Sequence, residues 1–272
     1  MDTKALARQV VATIRSLPPM PDSIDRLLRL SCADEPERDE VLSLIESDPG
    51  LCTTVMSMAG TICYGQGRGA SNPAEALELV GPRALAELTG VSYATWTLED
   101  SCARNLCMEE HLDHALEISR GCRALAEVCG ENRTGQADYS VAGLIHDIGR
   151  VVIAGTANAS CARLMGTSPQ ALFKICGEER ELLGMDHCDV GAELCGKWGF
   201  QSLLAEGVQR HHSPLIGDDD LSRPGAIIFL AHLVTMSDLT GAILQQLVPD
   251  RLCSGLGIEV AELQEARRLA TA

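Results

Sequence analysis

The side chains best suited to chemistry are an adjacent His146-Asp147 pair inside an otherwise apolar run, Tyr139 to Ile153. Polar groups are costly in such surroundings unless they have partners. Neighbouring side chains on a helix point about 100° apart, so this pair does not form an amphipathic face, but both can converge on one atom. An imidazole and a carboxylate together suit a divalent cation. The alternative is a buried histidine held by a carbonyl oxygen, with Asp147 capping a neighbouring helix.

The distribution of histidines supports a shared role. The chain has seven histidines, and all of them follow residue 110. Histidines with unrelated structural roles would be spread more evenly along the chain. They are His111, His114, His146, His187, His211, His212 and His232.

The spacing of the cysteines argues against the common sulfur-ligated metal sites. The chain has 12 cysteines, and no two of them have Cys-x-x-Cys spacing. This argues against a zinc ribbon or an iron–sulfur cluster. We interpret the cysteines as small buried side chains that stay reduced.

The amino-acid composition favours one fold class and excludes some classes of partner. The chain has 272 residues, of which 46% are hydrophobic and 3% aromatic, and abundant Leu and Ala favour helix over sheet. A net charge of −16 without any Lys/Arg cluster argues against nucleic acid and anionic membranes as partners. The start of the chain does not resemble a signal peptide. The longest apolar segment, Ala226 to Val248, carries His232 and Asp238 and indicates a buried helix, so we expect a cytoplasmic protein.

Prolines, glycines and capping residues predict a series of helices that must position these side chains. Gly60 to Ala70 is predicted to be a turn because it lacks a phosphate-loop ending. The polar stretch Glu99 to Arg104 predicts a division into subdomains 1–104 and 105–272. The predicted helices include 3–16, 22–32, 49–59, 73–81, 82–98, 106–129, 139–153, 157–166, 168–183, 186–198 and 260–272.

Several motifs in the same order resemble one known family. Ala142 to Gly149, Ala-Gly-Leu-Ile-His-Asp-Ile-Gly, is the strongest match. With the others, it resembles the HDOD family, the HD-related output domain of bacterial signalling proteins, from about residue 17 to 245. The other motifs are Leu17-Pro18-Pro19-Met20-Pro21, Asp48-Pro49-Gly50-Leu51, Glu75 to Leu88, Asp186 to Ala192 and His211-His212-Ser213-Pro214.

The resemblance implies an all-α, two-lobed helical bundle, in which an N-terminal subdomain packs on an HD-like C-terminal subdomain. It also implies a regulatory role in signal transduction through a protein partner. The alternative is a metal-dependent phosphohydrolase or phosphodiesterase acting on a nucleotide or another phosphoester, as in HD enzymes. The Gly-Tyr-Pro of the HD-GYP phosphodiesterases does not follow His212.

The resemblance also implies a ligand set for one or two divalent transition metals, Fe, Mn or Zn. His232 stands where the active relatives carry Asp. Asp147 would bridge two metals and Arg150 would hold a phosphate oxygen, which makes these two the candidate catalytic residues. Glu110 is either an extra ligand or part of a solvated helix face, and His111 has no predicted role. The implied ligands are His114, His146, Asp147, His187, His211, His212 and His232.

Overall fold

The structure is a computed structural model that describes residues 3–31, 38–63, 70–102, 108–156, 169–200, 202–217, 220–236 and 248–271. These residues are almost entirely helical, which confirms the all-α class. One short antiparallel hairpin, β1 (Leu215–Ile216) with β2 (Asp220–Leu221), accompanies the helices. The helices are α1 Thr3–Ser16, α2 Asp22–Ser31, α3 Arg38–Ser47, α4 Pro49–Cys63, α5 Pro73–Val80, α6 Pro82–Cys102, α7 Met108–Val128, α8 Arg133–Ile145, α9 Ile148–Thr156, α10 Pro169–Leu183, α11 His187–Trp198, α12 Ser202–Arg210, α13 Arg223–Thr235, α14 Asp250–Leu256 and α15 Glu262–Thr271.

Local side-chain chemistry explains several helix ends. The Asn72 side chain accepts a hydrogen bond from the backbone N–H of Glu75 at 2.9 Å and starts α5. Asp186 and Asp189 form a reciprocal capping box at the start of α11. Gly199 ends that helix in the left-handed conformation, with φ of 70°. These ends agree with the predicted ones because they depend on neighbouring residues alone.

Other boundaries differ from the prediction. Helix α4 continues to Cys63, so the first part of the predicted turn 60–70 is helical, because one interior glycine costs only about 1 kcal/mol and does not end a helix by itself. Helix α6 continues to Cys102 through most of the polar stretch. The subdomain division at residue 104 and the helix predicted over 157–166 fall outside the described residues. The division remains a prediction.

The packing of the helices brings the histidine-bearing segments together. Helix α7 packs along α8, α13 and α15, while α11 packs against α9 and α12. Helix α6 contacts α2 and α4 as well as α8 and α9. A single connected set of buried apolar side chains runs from Leu6 to Ala270. Among the described helices, none has the length and apolar character needed to cross a bilayer.

The proline-rich connector after α1 is held by two aromatic side chains. Trp198 Nε1, at the end of α11, donates a hydrogen bond to Pro18 O at 3.2 Å. The Tyr93 hydroxyl, on α6, donates to Pro19 O at 3.2 Å. Helix α1 itself packs against α9, α10 and α11. The connector is therefore fastened to the helix that begins with His187.

Candidate metal centre

Five helical segments bring the predicted side chains to one place. His114 lies on α7, His187 is the first residue of α11, and His232 lies on α13. The His146-Asp147 pair occupies a two-residue turn between α8 and α9, and His211-His212 occupies the turn after α12. The predicted uninterrupted helix over 139–153 is therefore wrong. The break lets His146 Nε2 and Asp147 Oδ2 come within 3.4 Å of each other, which an undistorted helix disfavours for adjacent residues.

Asp147 is at the centre of the cluster. Its Oδ1 lies 3.2 Å from His187 Nε2 and 3.6 Å from His211 Nε2. Its Oδ2 lies 3.0 Å from Arg150 Nη1, which donates a hydrogen bond to it, and 3.9 Å from His114 Nε2. The Asp147 side chain is almost fully buried, and its carboxylate supplies negative charge at the point where the imidazole Nε2 atoms meet.

The tautomers of four histidines follow from their outer contacts. His146 Nδ1 donates to Gly143 O at 2.7 Å, and His211 Nδ1 donates to Val208 O at 2.8 Å. His232 Nδ1 donates to Ile228 O at 2.9 Å. His187 Nδ1 donates to the Glu179 carboxylate at 2.6 Å. In each neutral ring the proton is therefore on Nδ1, and Nε2 carries a lone pair.

The lone pairs are arranged as metal ligands are. His187 Nε2 and His211 Nε2 face each other at 3.1 Å, and in rings that are neutral with the proton on Nδ1 neither nitrogen has a proton to share. Two buried atoms, His146 Nε2 and Asp147 Oδ1, have no partner with hydrogen-bonding geometry. A cation between such atoms removes both difficulties, so the residues present fit a divalent metal. The predicted ligands form two groups that could hold one: His114 with His146 and His232, and Asp147 with His187, His211 and His212.

Burial keeps the imidazoles neutral. It lowers the pKa of His146 to about 4, against the opposing effect of the Asp147 charge. Burial also lowers the pKa of His114 and of His211, and it takes those of His212 and His232 well below the usual value. Neutral imidazoles are the form that binds metal, so at neutral pH these rings need not lose a proton first.

The charge of Asp147 is preserved by its neighbours. Burial alone would raise the pKa of this carboxyl, but the charge of Arg150, followed by contacts with His146 and His187, holds it well below the usual value. Arg150 is itself buried. The cluster therefore contains an ionised carboxylate, a guanidinium and several neutral nitrogen donors.

Glu179 contacts the cluster without having been predicted as part of it, and His111 lies close enough to be influenced by the Asp147 charge. Glu179, on α10, is buried and also accepts a hydrogen bond from the backbone N–H of His187 at 2.8 Å. A carboxylate in this position orients a ligating imidazole and raises its basicity. His111 is half-buried, and burial lowers its pKa while the Asp147 charge opposes that shift. Glu110 is exposed, in keeping with a solvated helix face.

Two glycines allow the helices that carry the cluster to touch. A Cβ atom on Gly149 would lie 2.0 Å from His187 O and 2.7 Å from Gly191 N. A Cβ atom on Gly191 would lie 2.5 Å from a methyl group of Val208. The close approach of α9 to α11 is what places Asp147 beside His187, and it requires glycine at position 149.

Comparisons with known proteins extend over most of the chain. The model of the HDOD domain family matches residues 17–214. An uncharacterised protein of Treponema pallidum is 22% identical over 216 residues, and the match spans 78% of this chain but only 40% of that protein.

Solved structures show the same fold. An HDOD domain protein with unknown function from Geobacter sulfurreducens has a TM-score of 0.71 at 21% identity, over 98% of this chain and 93% of that one. A candidate phosphohydrolase from Shewanella amazonensis has a TM-score of 0.68 at 19% identity, over 97% and 93%. A candidate signal transduction protein from Marinobacter aquaeolei has a TM-score of 0.67 at 16% identity, over 99% and 64%. At these identities the likeness is one of fold.

Proposed function

Because this chain belongs to the HDOD domain family, we propose that it is a signalling output module whose C-terminal helices are held together by one or two divalent transition metals. The observation that carries this proposal is the close approach of His187 Nε2 and His211 Nε2, 3.1 Å apart beside Asp147 Oδ1. Such an arrangement is unfavourable in a metal-free core and favourable around a cation. The assigned ligands are His114, His146, Asp147, His187, His211, His212 and His232.

The regulatory role rests on where the ligands come from. They lie on five segments that are distant in sequence, and most of them are fully buried. Metal occupancy would therefore change how firmly α7, α9, α11, α12 and α13 pack together. Any surface formed by these helices would change with it, which is how a buried metal could control the binding of a protein partner. The Marinobacter protein of the same fold is described as a candidate signal transduction protein.

The second candidate function is that of a metal-dependent phosphohydrolase, and Arg150 is the residue that favours it. A guanidinium held at 3.0 Å from Asp147 is placed to bind a phosphoryl oxygen next to the ligands. A bound metal would supply Lewis-acid polarisation of the phosphoryl group and a more acidic water. In this reading, Asp147 and Arg150 are catalytic, and the substrate is a nucleotide or another phosphoester. The Shewanella protein of the same fold is described as a candidate phosphohydrolase.

One set of measurements separates the two functions. Protein purified without chelators is analysed for Fe, Mn and Zn, and its melting temperature and turnover of a panel of phosphoesters are measured before and after metal removal. The regulatory proposal predicts bound metal, a lower melting temperature on removal and no turnover. Turnover that is lost in both Asp147→Asn and Arg150→Ala would replace it with the phosphohydrolase. Protein without bound metal, and with no response to added metal, would contradict both.

A further inference from the structure

Two thiols lie beside the histidines and have no part in the metal centre proposed above. Cys188 is buried and follows His187 directly, and Cys176 is half-buried on α10. Their sulfur atoms are 3.9 Å apart. We propose that Cys176 and Cys188, together with His187 and His212, form a zinc site. The donor atoms of these four side chains all lie within 4.8 Å of one another.

The distances agree with tetrahedral zinc. Zinc binds thiolate sulfur at about 2.3 Å and imidazole nitrogen at about 2.0–2.1 Å. At tetrahedral angles these lengths separate two sulfur ligands by about 3.8 Å, and a sulfur from a nitrogen ligand by about 3.5 Å. The observed separations are 3.9 Å between the two sulfurs and 3.7 Å between Cys188 Sγ and His187 Nε2. These two separations are therefore close to those expected around a tetrahedral zinc ion.

Helix α10 supplies both a ligand and the group that orients another. Glu179 lies three residues after Cys176, so both face α11. By accepting the Nδ1 proton of His187, Glu179 leaves Nε2 of that ring as the coordinating atom. The same Nε2 lies 3.7 Å from Cys188 Sγ. The carboxylate, the imidazole and the thiols thus form one connected unit.

The chemistry of the donors separates this sulfur-containing site from the Asp147 site. Both sites use His187 and His212, so the two sites cannot be fully occupied at the same time. Thiolates select zinc and other soft metals, whereas the carboxylate of Asp147 suits harder ones. Zinc in the sulfur site would draw two imidazoles away from Asp147. The zinc site goes beyond the proposed function and would stand if that function failed.

Without a metal, the Cys188 thiol is a poor nucleophile. The hydrogen bond with Cys176 raises the pKa of Cys188 well above the usual value, and burial raises it further. The thiolate is the reactive form in disulfide exchange and in alkylation. A disulfide between these residues is the competing explanation for their closeness, and the experiment has to distinguish it from zinc binding.

The experiment uses cobalt as a spectroscopic substitute for zinc in the full chain, stripped of metal and kept reduced by a phosphine. Adding Co²⁺ should produce a sulfur-to-cobalt charge-transfer band in the near ultraviolet and intense visible bands of tetrahedral cobalt. Both should disappear on adding Zn²⁺. The Cys176→Ser/Cys188→Ser variant should lose the charge-transfer band, whereas Cys52→Ser and Asp147→Asn should keep it. Far-ultraviolet circular dichroism checks that each variant is folded.

A second measurement needs no variants. The wild-type chain is alkylated under denaturant-free conditions with and without Zn²⁺, and modified cysteines are located by mass spectrometry. Zinc should protect Cys176, the more accessible of the two thiols, and leave the modification of Cys52 unchanged. The absence of a charge-transfer band, its persistence in the double variant, or a Cys176–Cys188 disulfide that forms equally with and without zinc would overturn the proposal. Loss of metal from the Asp147 site alone would instead count against the proposed function.

Discussion

Two buried polar clusters within the described part of the chain respond to burial in opposite ways. The first is the metal centre around Asp147. The second, which we term the acidic pair, consists of Glu87 on α6 and Asp138 on α8. Burial raises the pKa of Glu87 to about 8 and that of Asp138 to about 6. The carboxyl of Asp147 is just as buried, yet its pKa is well below the usual value.

The difference comes from the groups within reach of each carboxylate. Asp147 has a guanidinium at 3.0 Å and imidazole nitrogens at 3.2–3.6 Å. Asp138 has Arg83 only at 4.0 Å, and that side chain is 34% exposed, so solvent weakens its charge. Neither oxygen of Glu87 has a hydrogen-bond partner. Among these three buried carboxyl groups, the one with positive and hydrogen-bond-donating groups at contact distance is the one whose pKa stays low.

Removing the charge of Asp147 should have the largest effect. Asp147→Asn removes the negative charge that faces the buried Arg150 guanidinium at 3.0 Å and deprives the candidate ligands of their carboxylate. We expect loss of bound metal and a decrease of about 3–5 kcal/mol in the free energy of unfolding. The matched control, Glu87→Gln, should change stability at neutral pH by about 1 kcal/mol or less, because a carboxyl with a pKa of about 8 is already mostly protonated there. Urea unfolding and elemental analysis measure both, and equal effects would contradict the comparison.

Adding a methyl group at Gly149, where α9 touches α11, should disrupt the metal centre and leave the acidic pair intact. Gly149→Ala forces α9 away from α11, because the new methyl group would lie 2.0 Å from His187 O. We expect a loss of about 3 kcal/mol and much weaker metal binding. Gly177→Ala, on α10 with no atom within 4 Å of the new Cβ, should be stabilising by up to about 1 kcal/mol. Thermal unfolding that ranks the two variants the other way would refute the close contact.

Changing the carboxylate behind His187 tests orientation without removing a ligand. Glu179→Gln keeps a hydrogen-bond acceptor and removes the charge. Metal affinity should decrease about 10–100-fold, as is typical for groups that orient a ligand. The control Glu178→Gln, on the exposed face of the same helix, should leave affinity unchanged. Competition with a fluorescent chelator measures both, and equal affinities would show that Glu179 has no part in orienting His187.

The last and smallest expected effect concerns how the stability of the fold changes with pH. Between about pH 4.5 and 8, the folded chain retains a proton at Glu87 that the unfolded chain releases, so stability decreases as pH rises through this range. Metal-free His146 has the opposite sign, because its folded pKa is about 4, and stability is lost as pH falls from about 6.5 toward 4.

Glu87→Gln should remove the loss on the alkaline side and leave the loss on the acid side unchanged. The measurement is the melting temperature against pH in the presence of a chelator, with Glu178→Gln as control. A variant that follows the wild-type curve between pH 6 and 8 would show that Glu87 is already ionised in the folded protein.

The sequence predicts those parts of the structure that depend on nearby residues. Helices begin at the N-caps Asn72 and Asp186, and one ends at Gly199. All three act through contacts within four residues, so their roles are visible in the sequence. The seven candidate ligands were found through motifs, and the structure brings them together. Their role as ligands remains a proposal.

Glu179 and Glu87 could not be identified in this way, because their partners come from other helices. The run Gly-Glu-Glu-Arg-Glu around Glu179 is typical of a solvated helix face. One signal was available: Cys176, Glu179 and Leu183 follow the i, i+3, i+7 spacing of a buried stripe. The break at His146-Asp147 has no such signal, since the surrounding pattern suits a continuous helix and only the packing of α9 on α11 reveals the turn.

The hydrogen bond from Trp198 to the proline connector gives the protein an intrinsic optical reporter. The chain has two tryptophans, of which Trp96 is 64% exposed and Trp198 is 1% exposed. Trp198 ends the helix that His187 begins, about 17 Å away at 1.5 Å per residue. In a Trp96→Phe background, emission comes from Trp198 alone. Its fluorescence spectrum then reports whether a change at His187, at the other end of α11, alters the hydrogen bond between Trp198 and Pro18 O.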